Sequence, residues 1–321
     1  MPMLDTIHTP VITENDFLTD HSPQDKPWDQ HKVQTDDVCL LYLEADVTRY
    51  AERAFDCATF LTFGFNPDNK LKLTDARFCR LRYCPICQWR RSLMWRARAY
   101  ERLPKVMEEY PTVRWLFLTL TVKNCPVGEL RNTLRDMNAS WKRLINRKDW
   151  PSVGFFRAAE VTRGADGSAH PHFHVLMGVK PSYFSRGYMS QGKWAELWRE
   201  CLRADYTPVV DVRIVKTDKN SPDGVSGLQK AIQETLKYTV KPSDLTQEHE
   251  WLAELTRQTH KLRFIATGGI LKDALGQIEP DSDQDLINTV DEPPVETTSP
   301  KVPFQFDRDA KRYRSKKTVK A

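Results

Sequence analysis

No apolar run in this chain approaches the ~18 residues that a membrane span requires, which argues against a helical membrane protein. The first residues, MPMLDTIHTPVITENDF, lack the basic start and the apolar stretch of a secretory signal, so a cytoplasmic location is expected. Cysteines number seven, an odd count in a chain without such a signal. A disulfide framework is therefore not expected, and clustered thiols are tested first as metal ligands. There is no internal repeat to suggest a solenoid or a propeller. What remains is a 321-residue chain, 40% hydrophobic, long enough for one large core or two modest ones.

The net charge of +5 conceals an uneven distribution. Residues 1–50 hold ten acids against three bases, and residues 276–300 hold seven acids and no base. By contrast, the stretch from Arg77 to Lys105 carries nine bases and one acid, and residues 301–321 carry eight bases and two acids. A basic segment studded with Trp and Tyr suits a phosphate-binding surface with stacking platforms, although a solvated basic helix has the same composition. Residues 1–48 are expected to be a disordered acidic segment, and 276–321 an acidic linker with a basic tail.

Between these ends, 49–108 is expected to be a Cys-bearing unit with a basic helix, and 109–275 a single catalytic domain. Within the latter, Val113–Val122 is β-branched and aromatic like a strand. In Pro126–Lys148, Leu130, Leu134, Met137, Trp141 and Leu144 recur at helical spacing. Val153–Thr162 and His170–Val179 are strand-like and flank the turn-rich RGADGSA, which predicts a hairpin. A helix over Lys193–Ala204, a strand over Pro208–Val215 and helices over Leu228–Val240 and Leu245–Leu262 complete an α+β pattern with a mainly antiparallel sheet.

Chemistry concentrates at His170-Pro171-His172-Phe173-His174. On a strand, a spacing of two puts the three imidazoles on one face and Phe173, Val175 and Met177 on the other. Two such imidazoles can share a divalent metal. Glu160, on the preceding strand of the predicted hairpin, could supply a third ligand, or be an ordinary strand-surface charge.

Downstream, AIQETLKYTVKP places Glu234, Tyr238 and Lys241 at helical spacings of four and three. A tyrosine hydroxyl, with a pKa near ~10, needs a nearby cation or a metal-polarised phosphate before it attacks. Lys241 could offset phosphate charge, and Glu234 could act as a general base for a second step. The E-x-x-x-Y-x-x-K spacing is weak alone and gains its meaning from the histidine strand.

A third cluster is Cys79-x4-Cys84-x2-Cys87, with Pro85 turning the knuckle and Cys57 available as a fourth ligand of a structural Zn²⁺. Free reduced thiols are the alternative. A metal there would fix the following helix, whose Arg90, Arg91, Arg96 and Arg98 are candidate DNA contacts.

Taken together, the chain resembles the plasmid rolling-circle replication initiators of the HUH endonuclease superfamily, in the branch with one tyrosine and a catalytic glutamate. FLTLTVKN (Phe117–Asn124), HFHVLM (His172–Met177) and ETLKYTVK (Glu234–Lys241) carry the resemblance in the expected order, across about 55–260. Its register selects His172 and His174 over His170. The resemblance implies an HUH-type domain holding Mg²⁺ or Mn²⁺, and Tyr238 attacking single-stranded or extruded origin DNA. It further implies a 5′-phosphotyrosine with a free 3′-OH, a terminating cut assisted by Glu234, and a host helicase and polymerase as partners. Pro171 departs from a regular strand start and leaves the role of His170 open. Two rivals are a histidine-triad nucleotide hydrolase, which leaves the tyrosine and cysteine segments without a purpose, and a zinc-binding DNA-binding protein without nuclease activity, which leaves His172, His174 and Tyr238 idle. A conjugative relaxase shares the chemistry but usually has a larger chain.

Overall fold

The turn after Arg163 shows how local sequence sets this architecture. Gly167 takes a left-handed φ of 79° that L side chains rarely adopt, and the Asp166 carboxylate accepts from the Ser168 N–H and hydroxyl. The chain thereby reverses, and the flanking segments pair as a long antiparallel hairpin. The computed structural model describes residues 11–216, 226–237, 240, 242–272, 274, 276, 282–289 and 299–320.

The chain starts with β1 (Val11–Ile12), α1 (Leu18–His21), α2 (Lys26–Glu44) and α3 (Thr48–Asp56). Next are β2 (Phe60–Phe65), β3 (Leu71–Ala76) and the long α4 (Pro85–Glu109). They lead to β4 (Arg114–Thr121), α5 (Leu130–Ile145), β5 (Ser152–Arg163), β6 (Ala169–Val179), α6 (Gln191–Leu202) and β7 (Val210–Val215). The remainder comprises α7 (Ser226–Thr235), α8 (Pro242–Leu245), α9 (His249–Thr259) and β8 (Ile265–Gly269). Last come α10 (Asp283–Ile287), β9 (Lys301–Asp307), β10 (Arg312–Ser315) and β11 (Val319–Lys320). Two compact units result, Met1–Arg91 with Pro280–Ala321, and Ser92–Glu279. Among the described residues no helix is long and apolar enough to cross a membrane.

The second unit is built on a five-stranded antiparallel sheet in the order β7-β4-β6-β5-β8. Phe173, Val175 and Met177 of β6 are fully buried on one face, where α5 brings Trp141 to within 6.2 Å of the Phe173 ring. All five apolar positions of the α5 stripe are buried, each contributing about 1.5–3 kcal/mol of transfer free energy. The expected α+β class with a mainly antiparallel sheet is met, as is the hairpin.

The first unit corrects the expectations for both chain ends. The disorder expected of residues 1–48 does not hold, since α2 runs through Lys26–Glu44 and buries Trp28, His31, Lys32, Thr35, Val38, Cys39 and Tyr42. That stripe has helical spacing, but polar residues occupy several of its positions. Lys32 is buried because Asp36 and the Phe55 carbonyl, both 2.9 Å away, satisfy its ammonium. The supposed linker and tail of 276–321 contain α10 and the strands β9, β10 and β11. Val302, Phe304 and Phe306 alternate inward from β9, and a four-stranded sheet forms in the order β10-β9-β2-β3. The division between units falls inside α4, between Arg91 and Ser92, rather than near residue 108. That helix also continues past Pro104, whose ring removes one backbone donor without stopping it.

Candidate active site and metal centres

On the sheet face opposite Phe173, β6 presents His172 and His174. Glu160 is the direct cross-strand partner of His172, so the pleat brings all three side chains to one spot. Glu160 Oε2 is 2.8 Å from His174 Nε2 and 3.3 Å from His172 Nε2, and the two Nε2 atoms are 3.2 Å apart. Each residue is buried, and one ligand atom from each lies within 4.8 Å of the others. Burial alone would raise the Glu160 carboxyl, but hydrogen bonds from His172 and His174 and the charge of Lys237 hold it well below the usual carboxylate range.

Neighbouring groups orient the imidazoles. Thr119, the β4 partner of His174, places Oγ1 3.3 Å from His174 Nδ1. His172 Nδ1 lies 3.3 Å from the His170 carbonyl. Both Nε2 atoms are thereby left to face Glu160, as a second set of contacts should do for a metal site. The His170 ring lies beside that of His172, with centroids 5.4 Å apart, but its Nδ1 is 2.6 Å from Asn124 Oδ1 and it does not join the cluster. Two imidazoles and a carboxylate are a donor set that a hard or borderline divalent ion accepts.

Over this face packs α7, which buries Leu228 and Ile232, with Leu236 buried one step past its end. Glu234 is exposed on it, and Lys237, just beyond its end, lies 2.5 Å from Glu234 Oε1 and 3.7 Å from Glu160 Oε2. The expected helix over Leu228–Val240 therefore stops at Thr235. Tyr238 and Lys241 lie outside the described residues. Lys237 was missed in the sequence, where Lys241 took the cationic role; its signal is its position beside Tyr238 and three residues after Glu234. Thr119 had no sequence signal, because only sheet register brings it to His174.

The first unit holds the other cluster. The Sγ atoms of Cys57 and Cys87, Cys79 and Cys87, and Cys84 and Cys57 are each 3.6 Å apart. A tetrahedron of thiolates around an ion at ~2.3 Å has edges of ~3.8 Å, so the spacing fits a closed four-sulfur site. Burial pushes the Cys57 and Cys79 thiols well above their ordinary value, a penalty that a cation would offset. The Cys79 N–H donates to Cys57 Sγ at 3.4 Å, and Thr35 Oγ1 lies 3.6 Å from Cys84 Sγ.

Two candidate DNA contacts are corrected here. Arg90 and Arg91 are buried. Arg90 donates to the Leu286 and Ile287 carbonyls and stacks over Trp28 and Trp89; Arg91 donates to those of Leu81 and Arg80. Burial lowers Arg90 to about 10, partly countered by Asp25. Arg91 thus braces the cysteine segment and Arg90 ties α4 to α10, and both guanidiniums are turned away from the surface. Arg96 and Arg98, in the second unit, are half-buried. They share their helix with Tyr100, whose hydroxyl donates to the Gln229 carbonyl of α7.

A family model described as "Replication protein" matches residues 70–314. The chain is 37% identical to "Protein rep" of Streptococcus pneumoniae serotype 2 over 75% of its length and 76% of that protein. It is 33% identical to "Protein rep" of Lentilactobacillus hilgardii, covering 84% of this chain and 88% of the relative, and 35% identical to that of Lactiplantibacillus plantarum, covering 83% and 87%. No solved structure matches the chain. The chain belongs to this family of replication proteins, as the three sequence segments implied.

Proposed function

We propose that this protein initiates plasmid rolling-circle replication by nicking one strand of the origin through a phosphotyrosine intermediate. The observation that carries the reading is the Glu160–His172–His174 cluster beneath α7, whose chain leads from Glu234 and Lys237 straight into Tyr238. His172, His174 and Glu160 would hold Mg²⁺ or Mn²⁺, which supplies Lewis-acid polarisation of the scissile phosphate. Tyr238 Oη gives up its proton and attacks phosphorus, the P–O3′ bond breaks, and the departing 3′ oxygen takes up a proton to become the primer hydroxyl, so that no net proton is gained or lost. Lys237 and Lys241 supply positive charge to the phosphate as charge builds on it. For termination, Glu234 removes a proton from water or from the attacking hydroxyl, so a second tyrosine is unnecessary.

In this reading the four thiols bind a structural Zn²⁺ that sets the start of α4, while Arg96 and Arg98 approach origin DNA. The protein works in the cytoplasm, and the free 3′-OH requires a polymerase and a strand-separating helicase of the host. A histidine-triad hydrolase would need His170 to act with the other two imidazoles, whereas its Nδ1 is held by Asn124 and the Glu160 carboxylate sits against His172 and His174 instead. A purely DNA-binding protein would have no use for a buried carboxylate between two histidines.

The test incubates wild type and Tyr238→Phe with labelled single-stranded origin DNA and Mn²⁺. Cleavage by wild type, none by the variant and none in chelator support the reading. Cleavage that persists without tyrosine or without metal overturns it.

A further inference from the structure

We propose that the outer face of the β10-β9-β2-β3 sheet is a docking surface for duplex DNA, made by the carboxyl-terminal strands of the chain. The inward face of this sheet is apolar: Leu61, Phe63, Phe304, Phe306 and Tyr313 are all buried. Alternation puts Phe60, Lys72, Lys301, Gln305, Arg314 and Lys316 outward, and none of them is buried. Register then arranges them in rows. Lys72 and Lys301 flank Gly64, which places no side chain between their ammonium groups. Gln305 lies between Phe60 and Arg314, and the Lys316 N–H bonds the Pro303 carbonyl one step further along.

The charge of this face selects the occupant. With Arg312 it carries five bases; Arg314 takes Asp307 at 2.9 Å, Arg312 takes Asp20 of α1 at 2.5 Å, and Asp75 is the other acid on the face. Lys301 and Lys316 have no acidic partner among the described residues. A broad basic face with an amide in its middle suits the phosphate backbone, where DNA presents a charge every ~1.7 Å of duplex axis. Phe60, 59% exposed, is the one aromatic projecting from the four strands on this side, and the Phe17 ring at the edge of β10 is taken up by the Arg312 and Arg314 guanidiniums. A single-stranded partner calls for several stacking platforms, so the duplex is favoured. Residues 301–320 thus act as an ordered strand pair rather than a loose basic tail, and they take the role that buried Arg90 and Arg91 cannot fill.

This inference rests on the origin-nicking reading, and the experiment separates the two. Full-length wild type and Lys301→Glu/Lys316→Glu are titrated by fluorescence anisotropy against a labelled duplex spanning the origin, at several salt concentrations. Both are also assayed for nicking of a short single-stranded origin oligonucleotide with Mn²⁺. The expected result is duplex affinity at least about tenfold weaker in the variant and a salt slope reduced by about two, with oligonucleotide nicking unchanged. Unchanged duplex affinity and slope overturn the docking surface, as does an equal loss of oligonucleotide nicking. If wild type fails to nick while the duplex result holds, the nicking reading falls and the docking surface stands.

Discussion

His172 and Glu160 face each other across the β5–β6 hairpin, with His172 Nε2 3.3 Å from Glu160 Oε2. This pairing follows from register alone, since a slip of one residue would send the carboxylate to the opposite face. Glu160→Gln would remove the proposed ligand while keeping the shape. Mn²⁺ affinity should fall by at least about tenfold, measured by titration calorimetry. Affinity equal to wild type would show that Glu160 is a partner of the histidines and not of a metal.

Glu234 is exposed and paired with Lys237, outside the cluster itself. Glu234→Ala should therefore form the covalent adduct at close to the wild-type rate. Its resolution should slow by about 10²–10⁴-fold, the usual loss for a missing general base. Gel quantification of adduct against rejoined product reads both steps, and equal slowing of the two would remove Glu234 from the second step.

For the cysteine cluster, elemental analysis of wild type should find about one zinc per chain, as a closed four-thiolate site requires. Cys84→Ser should lose it, and circular dichroism should register a less stable protein. Retention of full stability without zinc would make the thiols simple core residues.

Arg90→Ala tests the corrected role of that side chain. Loss of its two carbonyl hydrogen bonds should lower unfolding free energy by about 2–4 kcal/mol in a denaturant titration. Duplex affinity per folded molecule should stay the same. A stable variant with weakened DNA binding would restore Arg90 as a DNA contact.

The sites were more legible in the sequence than the boundaries of the fold. His-x-His on a strand states its own geometry, and the α5 stripe from Leu130 to Leu144 is apolar at every buried turn. By contrast, α2 buries Lys32, His31 and Thr35, whose polarity hides a regular helical stripe. The segment KVPFQFD does alternate at a period of two, but eight bases and a preceding acidic run masked it as a tail. Arg90 and Arg91 misled for the reverse reason: composition marked them as surface cations, while carbonyls distant in sequence from Arg90 and close to Arg91 satisfy them inside. Thr119 joins the site through register, which one sequence does not display, and Lys237 had only its place beside Tyr238 and three residues after Glu234 to mark it.

The most direct test of the nicking account is a peptide mass map of the covalent complex. Wild-type protein would be trapped with single-stranded origin DNA and Mn²⁺, digested with nuclease and trypsin, and sequenced by tandem mass spectrometry. The account predicts a 5′-nucleotide phosphate on Tyr238 and an unmodified His170, His172 and His174. A phosphate on a histidine, or cleavage with no modified peptide at all, would contradict it.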